Sequence, residues 1–124
     1  MIAKHKVLIV LGLATVVLLP CRAAAEGIGF VNELKMPIIV QGSTVENNMV
    51  RRGLPVLVFP GKTGWDINLK PGRRFITIYD GRQTTRVLYQ GPPLLFAGRD
   101  MLFAVRVVPG NPPRVLLVPT KVGN

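Results

Sequence analysis

Apolar residues in this chain fall in short runs separated by turn-forming residues. Beyond residue 25 no stretch holds the three-to-four-residue period of an amphipathic helix. The clearest run is 74–79, rich in β-branched and aromatic side chains. In 101–108, Met101, Phe103, Val105 and Val107 share one side of an extended chain and face a core, with Arg106 opposite toward solvent. Further strands are expected at 28–31, 37–41, 43–45, 49–50, 55–59, 65–69, 86–89 and 114–118. Asn47-Asn48 reads as a tight hairpin turn and Asp80-Gly81 as a type I′ turn. Pro60-Gly61, Pro71-Gly72, Gly91-Pro92-Pro93 and the proline-rich segment 109–113 close other runs. Ser43 is expected in a turn after Gly42.

Short strands at roughly 8–12-residue spacing with turn signals between them predict an all-β fold, a small single-domain β-sandwich of the immunoglobulin-like kind with about 7–9 short strands. Phe75, Ile76, Ile78 and Tyr79 make one run apolar on both faces, which fits a central strand. Thirteen glycines and eleven prolines are spread through the chain as punctuation, without a repeat or a linker. The expected organisation is a segment at 1–25, one all-β domain at 26–120 and a short tail at 121–124.

The first 25 residues have a separate logic. Lys4 and Lys6 form a basic start, residues 7–19 carry no charge, Pro20 breaks the run, and Ala23-Ala24-Ala25 places small residues where a signal peptidase reads. Residues 7–19 as a helix would span roughly 20 Å, short of a hydrocarbon core of about 30 Å. Cleavage before Glu26 is therefore favoured over a retained anchor. Acylation of Cys21 is the other alternative: Leu18-Leu19-Pro20-Cys21 has the leucine and cysteine of a lipobox, but proline stands where a small residue is wanted. The expected location is exported: periplasmic, cell-surface or secreted.

Cleavage would remove Cys21 and His5, the only cysteine and the only histidine. What remains has no disulfide and no thiol or imidazole for catalysis or metal binding. Its one serine, Ser43, has no histidine to activate it. Gly61-Lys62-Thr63 resembles the end of a phosphate loop, but Val56 stands where the first glycine belongs and no helix follows. Asp66, Asp80 and Asp100 stand singly, mostly beside glycine or at turns, rather than as a paired or clustered acid site. No catalytic residue, metal site or cofactor is expected, and the chain is not expected to be an enzyme.

Charge is the remaining signal. The chain carries +10, and removing the first 25 residues leaves thirteen basic against six acidic side chains. Nine of those thirteen are arginines, which fork onto carboxylates and phosphates. Arg51-Arg52 and Arg73-Arg74 are adjacent pairs at strand edges; with Arg82 and Arg86 they form the candidate anion-binding set. Against this, neighbours in a strand point to opposite faces, which would split each pair. Trp65, Tyr79 and Tyr89 are candidate aromatic contacts for sugar rings or cations.

The stretch Trp65-Asp66-Ile67-Asn68-Leu69-Lys70-Pro71-Gly72-Arg73-Arg74-Phe75-Ile76-Thr77-Ile78 resembles a segment of fibronectin type III domains, where a tryptophan-bearing strand precedes Leu-x-Pro-Gly-x-x-Tyr and an alternating strand. Phe75 stands in place of the tyrosine, so the hydroxyl of a tyrosine corner is missing. The resemblance implies an immunoglobulin-like sandwich that binds macromolecules and does not catalyse.

The expectation is thus an exported, non-catalytic binding or scaffolding domain of the cell envelope. Its arginine-rich surface would meet an anionic envelope polymer or an acidic protein, with no specific nucleic-acid partner and a membrane link only through a retained signal segment or lipidated Cys21. The alternative is a structural subunit of an envelope assembly, an oligomer held by apolar strand faces or edges.

Overall fold

Alternation of buried and half-exposed side chains along one nine-residue strand organises the molecule, a computed structural model of which describes residues 26–121. The proposed signal segment, with His5 and Cys21, and residues 122–124 lie outside the described residues. The strands are β1 (Gly27–Asn32), β2 (Ile38–Glu46), β3 (Met49–Arg52), β4 (Val56–Val58), β5 (Thr63–Ile67), β6 (Gly72–Asp80), β7 (Gln83–Gln90), β8 (Leu94–Phe96), β9 (Met101–Val108) and β10 (Arg114–Thr120). Among the described residues there is no helix. The chain is all-β, and its strands form two sheets, consistent with a β-sandwich.

One sheet has the order β10-β9-β1-β5. Its centre is a parallel pair, β1 with β9, in register Ile28 to Met101 through Asn32 to Val105. The other sheet is built on two long antiparallel strands, β2 and β6. Two strands follow one another along the outer edge of each: β3 and β4 on β2, β7 and β8 on β6. Gly53-Leu54-Pro55 interrupts the first edge and Gly91-Pro92-Pro93 the second. Proline has no N–H to continue a ladder, so each edge breaks into two pieces.

The core lies between the sheets. Ile28, Phe30, Phe103 and Val105 come from the first sheet, and Ile38, Val40, Ile76 and Ile78 from the second. All eight are buried. Each contributes roughly 1.5–3 kcal/mol by leaving water. The Phe30 and Phe103 rings stack across β1 and β9 with centroids 6.4 Å apart. Asn32, fully buried, secures the crossing from β1 to β2. Its Nδ2 donates to the Met36 and Val58 carbonyls, and its Oδ1 accepts the Leu34 N–H.

Several local expectations change. Among the described residues there are ten strands: the expected runs 37–41 and 43–45 merge into β2, and Leu94–Phe96 adds a three-residue strand too short to show a period. Ser43 lies inside β2, paired with Phe75 and Arg52, not in a turn. Gly42 does not break β2, because it faces inward where a buried side chain takes the space a Cβ would need. Asn47 and Asn48 have φ of 52° and 63°, the left-handed pair a type I′ turn requires. The β6–β7 turn instead centres on Gly81-Arg82, since Asp80 pairs with Gln83. Gly81 is not among the residues of positive φ, so the turn is not type I′. Hydrogen bonds from the Gly81 N–H to the Pro37 carbonyl and from the Arg82 N–H to Asp80 Oδ1 hold it instead. Val107, expected in the core, is 49% exposed. Pairing of β1 with β9 ends at Val105, so beside Val107 only β10 continues the sheet.

A cationic cleft beside a buried ion pair

The connection from β5 to β6 crosses from one sheet to the other through residues 68–71. Asn68 takes φ 60° there, a left-handed conformation that asparagine tolerates. The crossing sets Asp66 of β5 and Arg74 of β6 face to face inside the sandwich. Arg74 Nε donates to Asp66 Oδ2 at 3.0 Å, and its Nη2 to Oδ1 at 3.1 Å. Both side chains are more than nine-tenths buried. A forked arginine–carboxylate pair satisfies charge and geometry together, as burial of either ion demands.

Gly42 and Gly53 make room for this pair. A Cβ on Gly42 would lie 2.5 Å from both Arg74 Nε and Asp66 Oδ2, and one on Gly53 would lie 2.5 Å from Arg74 Nη2. The Gly53 N–H bonds the Gly42 carbonyl at 2.8 Å, drawing the two glycines together over the guanidinium.

Two clefts open on either side of Arg74. The first, about 340 Å³, lies between the β2–β3 hairpin and the residues that lead into β6; Arg51, Lys70, Arg73 and Arg74 line it, with Glu46 as its one acid. Glu46 lies 3.4 Å from Arg51 on the exposed hairpin, and Asp66 matches Arg74. Lys70 and Arg73, both exposed, have no acidic partner among the described residues. The second cleft, about 670 Å³, shares Asn68, Leu69 and Arg74 with the first, but its other walls are mainly apolar, including Leu54, Leu57, Trp65 and Ile67.

The six candidate arginines therefore divide. Arg51, Arg73 and Arg74 all border one cleft, although alternation in β6 sends Arg74 inward and Arg73, paired with Leu95, to the outer face. Arg52 pairs across from Ser43 and, being next to Arg51 in β3, points to the opposite face. Arg82 and Arg86 lie at the far end of β6, about 20 Å along the extended strand from Arg74. There they face the buried Asp80, with Arg82 Nε 3.3 Å from Oδ1 and Arg86 Nη1 3.5 Å from Oδ2. The Arg82 backbone N–H, then its side chain and the charge of Arg86, hold the Asp80 carboxyl below its ordinary range. On the other sheet Arg106 Nε donates to Glu33 at 2.7 Å, which lowers the Glu33 carboxyl and raises the Arg106 guanidinium.

The three candidate aromatics also separate. Trp65 lies on the outer face of β5, across Gly29 of β1. Tyr79 is on the outer face of the second sheet, opposite Ile39. Tyr89 lines a groove between β7 and β10. They form no common platform.

Comparison of the chain with protein-family models, curated proteins and solved structures finds no match.

Asp66 and Asp80 are each held by arginine, and Asp100 accepts the Gly27 N–H at 2.9 Å. Among the described residues, no three acidic, histidine or cysteine side chains gather where they could share a metal ion. Sequence reasoning missed Lys70 as a site residue. The signal was present: Lys70, Arg73 and Arg74 stand within five positions around a Pro-Gly turn. Leu54 was missed too, because nothing in a Gly-Leu-Pro linker marks its side chain for exposure.

Proposed function

We propose that the chain is an exported, non-catalytic binding domain of the cell envelope, and that the Arg51–Lys70–Arg73–Arg74 cleft is where it meets an anionic polymer or acidic partner. The observation that carries this reading is the pair of unmatched cations, Lys70 and Arg73, at a cleft whose deeper arginine is fixed by Asp66. Arg74 is balanced by Asp66, so the net positive field at the cleft comes from the two free cations, held close together where dispersed charges would give only solubility. The export assignment rests on the basic, apolar and small-residue pattern of residues 1–25. An immunoglobulin-like relationship draws support from the Trp65-to-Phe75 stretch, which changes sheets as the corresponding corner of that fold does.

Chromatography on an immobilised polyanion tests the reading. Wild-type protein is expected to be retained at low salt and released as screening shortens the range of the charges. A Lys70→Gln/Arg73→Gln variant should elute at clearly lower salt, while Arg114→Gln, remote from the cleft, should shift little. Co-elution of the double variant with wild type would remove the cleft from the proposal.

A second reading, a structural subunit of an envelope assembly, is favoured by the outer face of the second sheet. Val45, Val50, Leu57 and Leu95 are each more than half exposed there. A strictly monomeric protein at high concentration would count against it.

A further inference from the structure

Deepening the anion-binding reading, and resting on it, we infer that the anionic surface this domain meets is a lipid bilayer. The cleft cations would lie on its phosphates, and Leu54, Leu57, Trp65 and Ile67 would enter its interface. The argument begins from adjacency. The cationic cleft and the apolar cleft share Asn68, Leu69 and Arg74 as a common wall, so charge and apolar surface are continuous.

The apolar half is displayed, not buried. Leu54 is 85% exposed, at the tip of the segment between β3 and β4. Leu57 of β4 and Ile67 and Trp65 of β5, on the two sheet edges that border the same cleft, are 52%, 47% and 37% exposed. A soluble polysaccharide or polyphosphate has no use for protruding leucines, and an acidic protein would have to match cations and leucines with one patch shaped to both. A bilayer interface accepts both: aliphatic side chains enter the acyl boundary, tryptophan rests at headgroup level, and cations lie on the phosphates.

The backbone suits this use. Leu54 is followed by Pro55 and preceded by Gly53, whose N–H is tied to Gly42. The leucine is thus held out by a segment fixed at its base. The Arg74–Asp66 pair beneath is already satisfied, so docking need not strip an unpaired buried charge of water.

The experiment uses the protein as its host processes it, with its mass measured, and vesicles of phosphatidylcholine with and without phosphatidylglycerol. Trp65 is the only tryptophan in the chain, so its emission reports this face alone. Anionic vesicles are expected to shift that emission to the blue and to sediment the protein. Loss of Lys70 or Arg73 should weaken partition about fivefold each. Leu54→Ser/Leu57→Ser should weaken it at least about tenfold while leaving retention on the immobilised polyanion unchanged. Polyanion retention with no emission shift on anionic vesicles would overturn the bilayer inference and leave the anion-binding reading standing. Failure of both would remove both. Sedimentation with the vesicles that ignores the leucine substitutions would also overturn the inference, since the apolar face would then take no part.

Discussion

Asp66 and Arg74, eight positions apart in sequence, join the two sheets through a forked ion pair of 3.0 and 3.1 Å, both side chains buried. Neither ion could be buried alone. Removing one partner leaves the other without compensation, at a cost of about 3–5 kcal/mol. Arg74→Met should therefore destabilise the fold by that amount in urea denaturation. Replacing both, as Asp66→Leu/Arg74→Met, should recover most of the loss, because a buried ion pair contributes little net stability over apolar residues of similar volume. If the double variant is no more stable than the single, the pair contributes something an apolar replacement cannot supply.

Gly42 is constrained by the same pair. Its φ is unexceptional, so the need for glycine is steric. An added methyl would meet Arg74 Nε and Asp66 Oδ2, each at 2.5 Å and both fixed by burial. Gly42→Ala should destabilise by about 1–3 kcal/mol, the usual cost of overpacking a filled interior. Thermal denaturation of this variant in the Arg74→Met background checks the cause. If the clash is with the guanidinium, the penalty shrinks when the arginine is gone.

Acid should act at the other end of β6. Hydrogen bonds from the Arg82 backbone and side chain keep the Asp80 carboxyl ionised to lower pH in the folded state than in the unfolded chain. The unfolded state then binds the proton more readily as pH falls. Asp80 thus stabilises the fold at neutral pH, and its contribution disappears as pH drops below about 4. Stability measured against pH should fall through this range in wild type and fall less steeply in Asp80→Asn. Glu33, lowered by Arg106, adds to the same limb with the same sign. An identical acid limb in Asp80→Asn would show that other carboxylates govern it.

Most strands were legible because their period is two and their ends are marked by glycine, proline or asparagine. The 101–108 run matches β9 end to end. What escaped were features that depend on a distant partner. β8 forms because Gly72, Arg73 and Arg74 of β6 offer an edge, a condition no three-residue run can announce. Arg74 looked like a surface cation beside Arg73, as adjacency in sequence suggests. Its burial depends on Asp66 from the other sheet and on the missing side chains of Gly42 and Gly53. The cleft follows the same logic: Arg73 and Arg51 are both candidates in the sequence and Lys70 lies beside the first, but Arg51 reaches them only through the β2–β3 hairpin.

Asn32 carries a last consequence of the crossing between sheets. No atom of it is exposed, and its side-chain amide serves the Met36 and Val58 carbonyls and the Leu34 N–H at 2.8–3.0 Å. Water cannot easily replace it where β1 leaves one sheet and β2 enters the other. Asn32→Ala should cost about 3 kcal/mol, since buried polar groups left without partners lose roughly 1–3 kcal/mol each and some relax. Asn32→Asp tests whether the amide donors matter separately from the acceptor. An aspartate keeps the bond to the Leu34 N–H but faces two carbonyls with a negative charge, so it should be at least as destabilising as alanine at neutral pH and improve in acid as it takes up a proton. The pH trend is opposite in sign to that of Asp80. Urea melts of the two variants at pH 7 and near pH 4 separate the amide's role from its volume. An Asn32→Asp protein as stable as wild type at neutral pH would show that the amide donors are dispensable.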